Sequence, residues 1–408
     1  MKDKLVYVAG QVSLTGVMFL FNLIAAKLLG PEQMGAWQTI FLISTYGMLI
    51  SAGIINGMGR DVPYYRGKGD DEKVRETIAT TFICLLIVTA ASLAVAAVGY
   101  LVFPDDLRLL LVMGGVLVGA RLSNIFSTIL IRSFRDFRRL GLHQGTTALL
   151  LLLALGPQSL APGLYTIFWG VCLAYGVVLI YSKKYFHIVP WSRQTCYHLI
   201  GVGFPIYLVG LLFTLLTTID RLIVLGFLGM EQLGIYTMAT TALAVLLMAP
   251  SLVSNFMYPK LAEHYGATGR VSELVPLLKR IIRLNLLSTV PIAAVTLAIL
   301  YFYIVPVYLA AYMSGREAMA IIFLAAVFYP LGTGFGDFFN VIGMQQVYLR
   351  NIATGFVVNA GVGLLLVAGY GMGLKGTAIG TVSGLLVFTL LQGGTYMNRF
   401  GANLANTE

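Results

Sequence analysis

Apolar residues recur along the chain in runs of about 20, each long enough to cross roughly 30 Å of hydrocarbon as a helix, and short polar or basic segments separate them. Read by this pattern, the sequence predicts spans near 5–28, 35–57, 77–103, 109–131, 143–160, 163–182, 199–226, 234–257, 282–306, 318–341, 351–370 and 374–397. The fifth is the least regular. Its core, 147–155, is short, and Pro157, Pro162 and two glycines crowd its outer end. Equivalent stretches follow the first one throughout, and no small-residue cleavage site leads into a soluble chain, so it reads as a span and not as a removed signal. No soluble domain interrupts the pattern. The expected fold class is an all-α polytopic membrane protein.

The charges orient these spans. With both termini in the cytoplasm, the inner segments collect most of the cations, among them Arg60, Arg66, Lys68, Arg75, Arg132, Arg135, Arg138, Arg139, Lys183, Lys184, Lys260, Arg280 and Arg350. The outer side receives only Lys27, Arg108, Arg316 and Lys375. That asymmetry follows the positive-inside rule and fits an even number of spans. It also accounts for the formal net charge of +10 without a nucleic-acid partner.

A repeat then groups the spans. Leu28-Leu29-Gly30-Pro31-Glu32-Gln33-Met34-Gly35-Ala36-Trp37 recurs 199 residues later as Phe227-Leu228-Gly229-Met230-Glu231-Gln232-Leu233-Gly234-Ile235-Tyr236. Six spans per half make both copies enter the membrane in the same direction, so the repeat is of the parallel type, related by an axis along the membrane normal. The expected organisation is two parallel-related six-helix bundles around a central cleft: 1–182, a cytoplasmic linker 183–198, and 199–408. In each copy the motif forms the outer hairpin between two spans. Gly30 is expected to end the first helix as a left-handed residue, and Pro31 and Glu32 suit the first turn of the next. The longest inner connections, 58–76 and 258–281, occupy matching places in the halves.

Composition agrees and narrows the chemistry. Hydrophobic residues make up 58% of the chain and charged residues 11%, against roughly 25% charged in soluble domains. Cys84, Cys172 and Cys196 fall in or beside apolar stretches without metal-ligand spacing and read as packing residues. His143, His187, His198 and His264 are scattered near the inner boundary and form no metal signature. Walker A and other Gly-rich nucleotide motifs do not occur. These features point to a transporter rather than an enzyme, with no catalytic residues and no cofactor assigned.

Two segments carry a family resemblance. Asn22-Leu23-Ile24-Ala25-Ala26-Lys27-Leu28-Leu29-Gly30-Pro31-Glu32-Gln33-Met34-Gly35 opens the first half, and Ile219-Asp220-Arg221-Leu222-Ile223-Val224-Leu225-Gly226-Phe227-Leu228-Gly229 opens the second. In these segments and in its whole organisation the chain resembles the polysaccharide transporters, Wzx-like O-antigen flippases, of the multidrug/oligosaccharidyl-lipid/polysaccharide exporter (MOP) superfamily, which are related to MATE transporters. The resemblance implies two six-helix bundles that alternately open a cleft to each side of the cytoplasmic (inner) membrane. It implies an undecaprenyl-pyrophosphate-linked oligosaccharide as cargo for surface polysaccharide, with membrane lipids and polysaccharide assembly proteins as partners.

Polar residues inside the spans are the candidate site, because a charge in hydrocarbon is expensive and normally faces a bundle interior, a partner or a wet cavity. Arg121, beside Ser123 and Asn124 in span four, suits paired hydrogen bonds to a pyrophosphate; its alternative is a structural partner such as Asp337. Arg221 is a second cation for an anionic path, with snorkelling or interhelical pairing as its alternatives. Asn22 is its counterpart at the 199-residue offset, so the halves differ where charge matters. Lys27 near the outer exit and Arg60, beside Asp61, at the inner end of span two complete a cationic route or serve as boundary anchors. Asn56, Asn255, Asn340 and Asn359 line a sugar-accepting cleft or tie helices together. The basic aromatic segment Phe134-Arg135-Asp136-Phe137-Arg138-Arg139 reads as an interfacial anchor, with recognition of a lipid-linked phosphate as the other role. Asp220 and Asp337 are the carboxylates suited to Na+ or H+ coupling, the ion being unassigned; spans one to six offer no central Asp or Glu. Two other classes compete: a MATE-like cation-coupled antiporter of small molecules or drugs, and a non-transport membrane scaffold.

Overall fold

In the computed structural model, which describes residues 2–156, 163–186 and 191–401, the apolar runs are helical and no strand occurs among the described residues. The chain divides into two compact units, Met1–Leu211 and Leu212–Glu408. Helix α1, Lys2–Gly47, holds span one and most of span two. A 3-10 turn, Met48–Ser51, then leads into α2, Ile54–Lys68. Span three is α3, Asp71–Val102; span four is α4, Asp105–Ser133; span five is α5, Phe137–Leu153. Span six is α6, Leu164–Val177, prolonged by a 3-10 segment to Tyr185. The residues read as a linker include Arg193–His198, which form the first turns of α7, Arg193–Phe227, or span seven.

In the second unit, α8, Met230–Ile235, and α9, Thr237–Thr268, make span eight. Span nine is α10, Val275–Ile299, with a π-helical extension to Tyr308. Span ten is α11, Arg316–Phe323, and α12, Tyr329–Val341. Span eleven begins with α13, Gln345–Leu364, and span twelve with α14, Gly373–Tyr396. Among the described residues, ten helical stretches are individually long and apolar enough to cross a membrane. One of them, Val6–Ser51, contains two spans joined at Gly30, and α5 is a further crossing too short to qualify alone. The total is the twelve that the hydropathy pattern predicts.

The differences are local. Span five starts at Phe137 rather than near 143, because Asp136 caps α5 by accepting the Arg139 N–H at 3.1 Å. Its expected proline-rich end, 157–162, lies outside the described residues. Span two breaks where Ala52 and Gly53 both take positive φ, 45° and 82°. Span ten is interrupted before Tyr329-Pro330, where the proline lacks a donor and closes against the preceding turn, so it starts a new helix instead of continuing one.

Gly30 also departs from expectation in an instructive way. Its φ/ψ are 70°/174° and those of Gly229 are 90°/176°. A left-handed cap would need ψ near 45°. Both glycines instead occupy the positive-φ extended region open essentially to glycine alone, so the two hairpins share one unusual backbone step. The units also share a packing scheme. In the first, span two packs on three and four, three on four, four on six, five on six, and one on five. In the second, eight packs on nine and ten, nine on ten, ten on twelve, and eleven on twelve. The end of α7 meets span eleven, where Asn359 Nδ2 donates to the Leu216 carbonyl at 2.7 Å. Adding six to each span number of the first unit reproduces the second, as a parallel repeat requires.

Close approach depends on missing side chains. A Cβ on Gly384 would lie 2.6 Å from the Gly355 carbonyl oxygen and 2.7 Å from Asn359 Cβ, so α13 and α14 touch backbone to backbone, the small-residue packing favoured in membranes. Nothing lies within 4 Å of a Cβ built on Gly30, Gly229 or Gly16. Gly30→Ala and Gly229→Ala should therefore each cost about 1–3 kcal/mol from backbone strain alone, whereas Gly16→Ala, in a regular helix with equal space, should cost nothing. Thermal unfolding of the three variants in one detergent checks this; equal midpoints for all three would refute the conformational role of the two hairpin glycines.

Candidate functional site

Arg121 lies midway along α4, half-buried. Its Nη1 donates to Ser44 Oγ at 2.7 Å, to Thr45 Oγ1 at 2.8 Å and, at 3.5 Å, to the Phe41 carbonyl. The guanidinium carbon stands 4.2 Å from the centre of the Phe41 ring, within cation–π range. Residues 41, 44 and 45 share one helical face of span two. The Ser44 and Thr45 hydroxyls each donate to the Phe41 carbonyl at 2.8 Å, so they turn lone pairs toward the guanidinium. Asn124 follows Arg121 by about one turn on the same helix, and its buried Nδ2 has no partner among the described residues.

The other path candidates are placed elsewhere. Asn22 Nδ2 donates to the Met18 carbonyl of its own helix at 3.0 Å. Lys27 is exposed, just over one turn further along the same helix. Arg60 pairs with Asp61 at 2.8 Å and lies 5.4 Å from the Tyr64 ring. Asp61 is 1% exposed and also meets His198 Nε2 of α7 at 2.9 Å, while the Thr195 hydroxyl bonds to Glu76 of α3. Arg60 thus belongs to a knot that fastens the start of α7 to spans two and three. Cys84 and Cys196, which the sequence leaves unrelated, meet there with sulfurs 3.0 Å apart.

In the second unit Asp220 is 1% exposed. One carboxylate oxygen accepts the Arg221 backbone N–H at 2.8 Å; the other accepts Tyr236 Oη–H at 3.0 Å and the Thr381 hydroxyl at 3.2 Å. This acid ties spans seven, eight and twelve together. The Arg221 side chain makes no salt bridge to it, and its Nε is buried without a hydrogen-bond partner among the described residues. Asp337, on α12, accepts from Ser254 of span eight through Oδ1 at 2.8 Å, while its buried Oδ2 has no partner among the described residues. Asn359 is fully buried and makes the interhelical bond to Leu216. Asn56 and Asn340 are half-buried; the side chain of Asn255, like the whole of His187, lies outside the described residues.

The basic aromatic segment between spans four and five folds onto the end of span six. Phe134 stacks on Tyr185 with ring centres 4.3 Å apart, and Arg66 lies 4.5 Å from the Phe134 ring. Tyr185 Oη–H donates to Asp136 at 2.6 Å. Partial burial works against the Asp136 charge, but the Tyr185 hydroxyl, the Arg139 N–H and the Arg139 and Lys184 cations together hold its carboxyl below the usual carboxylate range.

Sequence reasoning missed Ser44, Thr45, Tyr236, Thr381 and Ser254, the neutral partners of the charged residues. The repeat did hold a signal for one pair. At the 199-residue offset Phe21 becomes Asp220 and Trp37 becomes Tyr236. In the first unit Phe21 and Trp37 are in ring contact, centroids 6.4 Å apart; in the second the same positions form the acid–hydroxyl bond.

No curated protein matches the sequence. Solved structures do match its fold: an inward-facing multidrug resistance MATE family transporter of the MOP superfamily, with TM-score 0.75, 16% identity and 98% of each chain covered. An outward-facing MATE family transporter gives 0.66 at 18% identity, with 100% of this chain and 97% of that one covered. A MOP superfamily transporter from Pyrococcus furiosus, described as having a binding pocket of reverse polarity that suggests a different function, gives 0.61 at 16% identity and covers 98% and 96%. Residues 24–314 match the model of the polysaccharide biosynthesis protein family. With more than half of its length matched there and its twelve spans arranged on the fold of these MOP structures, the chain belongs to the polysaccharide biosynthesis protein family and is a multi-pass membrane protein.

Proposed function

We propose that this protein is a flippase that moves a lipid-linked oligosaccharide of the undecaprenyl-pyrophosphate type across the cytoplasmic membrane by alternating access, for surface polysaccharide assembly, with both termini in the cytoplasm. The observation that carries the reading is Arg121: in a member of a polysaccharide biosynthesis family, a guanidinium is held inside an apolar span by two hydroxyls and an aromatic face. Its planar fork matches a diphosphate, and Asn124 extends a polar strip along the same helix. The chemistry required is shielding, since no bond is made or broken. Arg221 is the second cation on the proposed path; Asn22, Lys27 and Arg60 are lesser contributors, with Arg60 already engaged by Asp61.

A second reading, cation-coupled antiport of a small molecule in the MATE manner, is favoured by Asp337. A buried carboxylate oxygen without a partner suits a proton or a Na+ ion, and Asp337 has that feature where Asp220, with three donors, does not. Both readings assign coupling to Asp337 and leave Asp220 as a tie between helices.

Reconstituted vesicles carrying a defined diphosphate-linked oligosaccharide test the cargo. Arg121→Ala should slow headgroup translocation by at least about tenfold, the equivalent of about 1.4 kcal/mol, with little loss of folded protein; an equal loss of both would assign Arg121 to folding. No translocation by wild-type protein under any Na+ or H+ gradient would overturn the flippase reading. Asp337→Asn should abolish the dependence of transport on the ion gradient while preserving stability. Asp220→Asn should instead lower stability by about 1–3 kcal/mol, because the new amide donor faces groups that already donate. Gradient-driven transport unchanged in both variants would remove coupling through these carboxylates.

A further inference from the structure

Cavities succeed one another along span three in the first unit. The first, about 470 Å³, has Arg66, Arg75 and Lys184 around it and the stacked Phe134–Tyr185 pair as one wall. The second, about 460 Å³, is an apolar groove lined by Phe82, Phe126, Val177, Ile180 and Phe186, with Lys183 at its rim. Phe82 follows Arg75 by about 10 Å along the helix. A smaller crevice along Leu85, Leu86 and Thr89 continues the same line. Leu86 and Ile180 are 54% and 68% exposed, so the groove is open at its side. A cationic pocket and an apolar groove thus follow one another in the direction of the membrane-crossing helices.

The charges in the first cavity are disposed for an anion. Asp136 is held by Tyr185 and Arg139, with the Lys184 cation acting on it at longer range, and Arg66 lies on the Phe134 ring and donates to the Ser133 carbonyl at 3.4 Å. Neither Arg75 nor Lys184 forms an ion pair among the described residues, and Asp71 is the remaining acid of the lining. The cavity has room for a phosphoryl headgroup with a small alcohol and is too small for an oligosaccharide. We infer that this flank binds one anionic phospholipid of the surrounding bilayer, its phosphate among Arg66, Arg75 and Lys184 and an acyl chain in the Phe82–Phe186 groove. The site lies on the face that carries the basic loops, where anionic headgroups attract cations, and phospholipid binding there is independent of which cargo the protein moves.

Native mass spectrometry of the full chain in detergent, titrated with phosphatidylglycerol and with phosphatidylcholine of identical chains, provides the test. Wild-type protein should retain one phosphatidylglycerol in preference to phosphatidylcholine. The R75Q/K184Q variant, which changes two exposed side chains, should lose affinity for phosphatidylglycerol by about thirtyfold, at about 1 kcal/mol per cation, with phosphatidylcholine binding unchanged. G176W, which fills the groove, should weaken both lipids. R350Q/R399Q, two exposed cations of the other unit, should change neither. Equal retention of the two lipids by wild type, unchanged phosphatidylglycerol affinity in folded R75Q/K184Q, or the same loss in R350Q/R399Q would overturn the site. Displacement of phosphatidylglycerol by an equimolar polyprenyl phosphate would reassign it to the cargo lipid and overturn the phospholipid assignment. The single variant R75Q, with about a fivefold loss expected, decides the matter if the double variant does not fold.

Discussion

A polar group inside hydrocarbon has no water to turn to, so such a group in a spanning helix pairs within the protein or faces a wet cavity. That constraint sets the helix registers of this chain. Asn359 reaches the Leu216 carbonyl, Asn351 Nδ2 meets Gln392 Oε1 at 3.1 Å, and Asn285 Nδ2 reaches the Pro330 carbonyl at 3.2 Å. Each bond joins two spans at one position, and sliding either helix by a residue would strand a donor. Glycines such as Gly355 and Gly384 fix how near the helices come, and the amides fix where along their length they meet.

Against this common scaffold the two units carry different chemistry. Phe21 and Trp37 occupy the places of Asp220 and Tyr236, across a hairpin whose glycine has the same rare backbone in both copies. An aromatic pair in one unit and a hydrogen-bonded acid in the other occupy the same place between corresponding spans, so the fold accepts either. The acid is stable there only with Tyr236, Thr381 and the Arg221 N–H all directed at it. A sequence change at one position alone would leave a buried carboxylate short of donors or a buried hydroxyl short of an acceptor. The divergence of the halves therefore had to involve several positions together, and it leaves the first unit with a cation, Arg121, and the second with Asp220, Asp337 and Arg221.

Much of the architecture was legible in the sequence because span length and loop charge report directly on the solvent. All twelve spans, the matching hairpins and the parallel repeat follow from those signals. What stayed hidden depended on backbone detail or on distance in the chain. The break before Tyr329 needed the proline to be weighed against an otherwise continuous apolar run, and the ψ of Gly30 is not encoded by glycine alone. For the site, the charged residues stood out against an apolar background, whereas Ser44 and Thr45 did not, since hydroxyls are cheap in helices where they bond to their own carbonyls. The meeting of Cys84 with Cys196 and of Asp61 with His198 spans more than a hundred residues, and no local pattern announces it.

The way each cation is held separates Arg60 from Arg121, the cation proposed to meet the cargo. Arg60 shares a carboxylate with His198, and removing it would leave Asp61, 1% exposed, with one cation fewer beside it. Arg60 is therefore costly to disengage. Arg121 rests on acceptors that keep their own structural bonds: Ser44 and Thr45 continue to donate to the Phe41 carbonyl whether or not the guanidinium is present. Turning its fork toward a diphosphate would orphan no donor on span two. A transport site must bind its cargo and then release it, and a cation supported by neutral groups that do not depend on it meets both demands. A cation paired with a buried carboxylate, as Arg60 is with Asp61, would have to leave that charge behind at each cycle. On this ground the proposed path runs past span four, and the Asp61 end of span two serves as its frame.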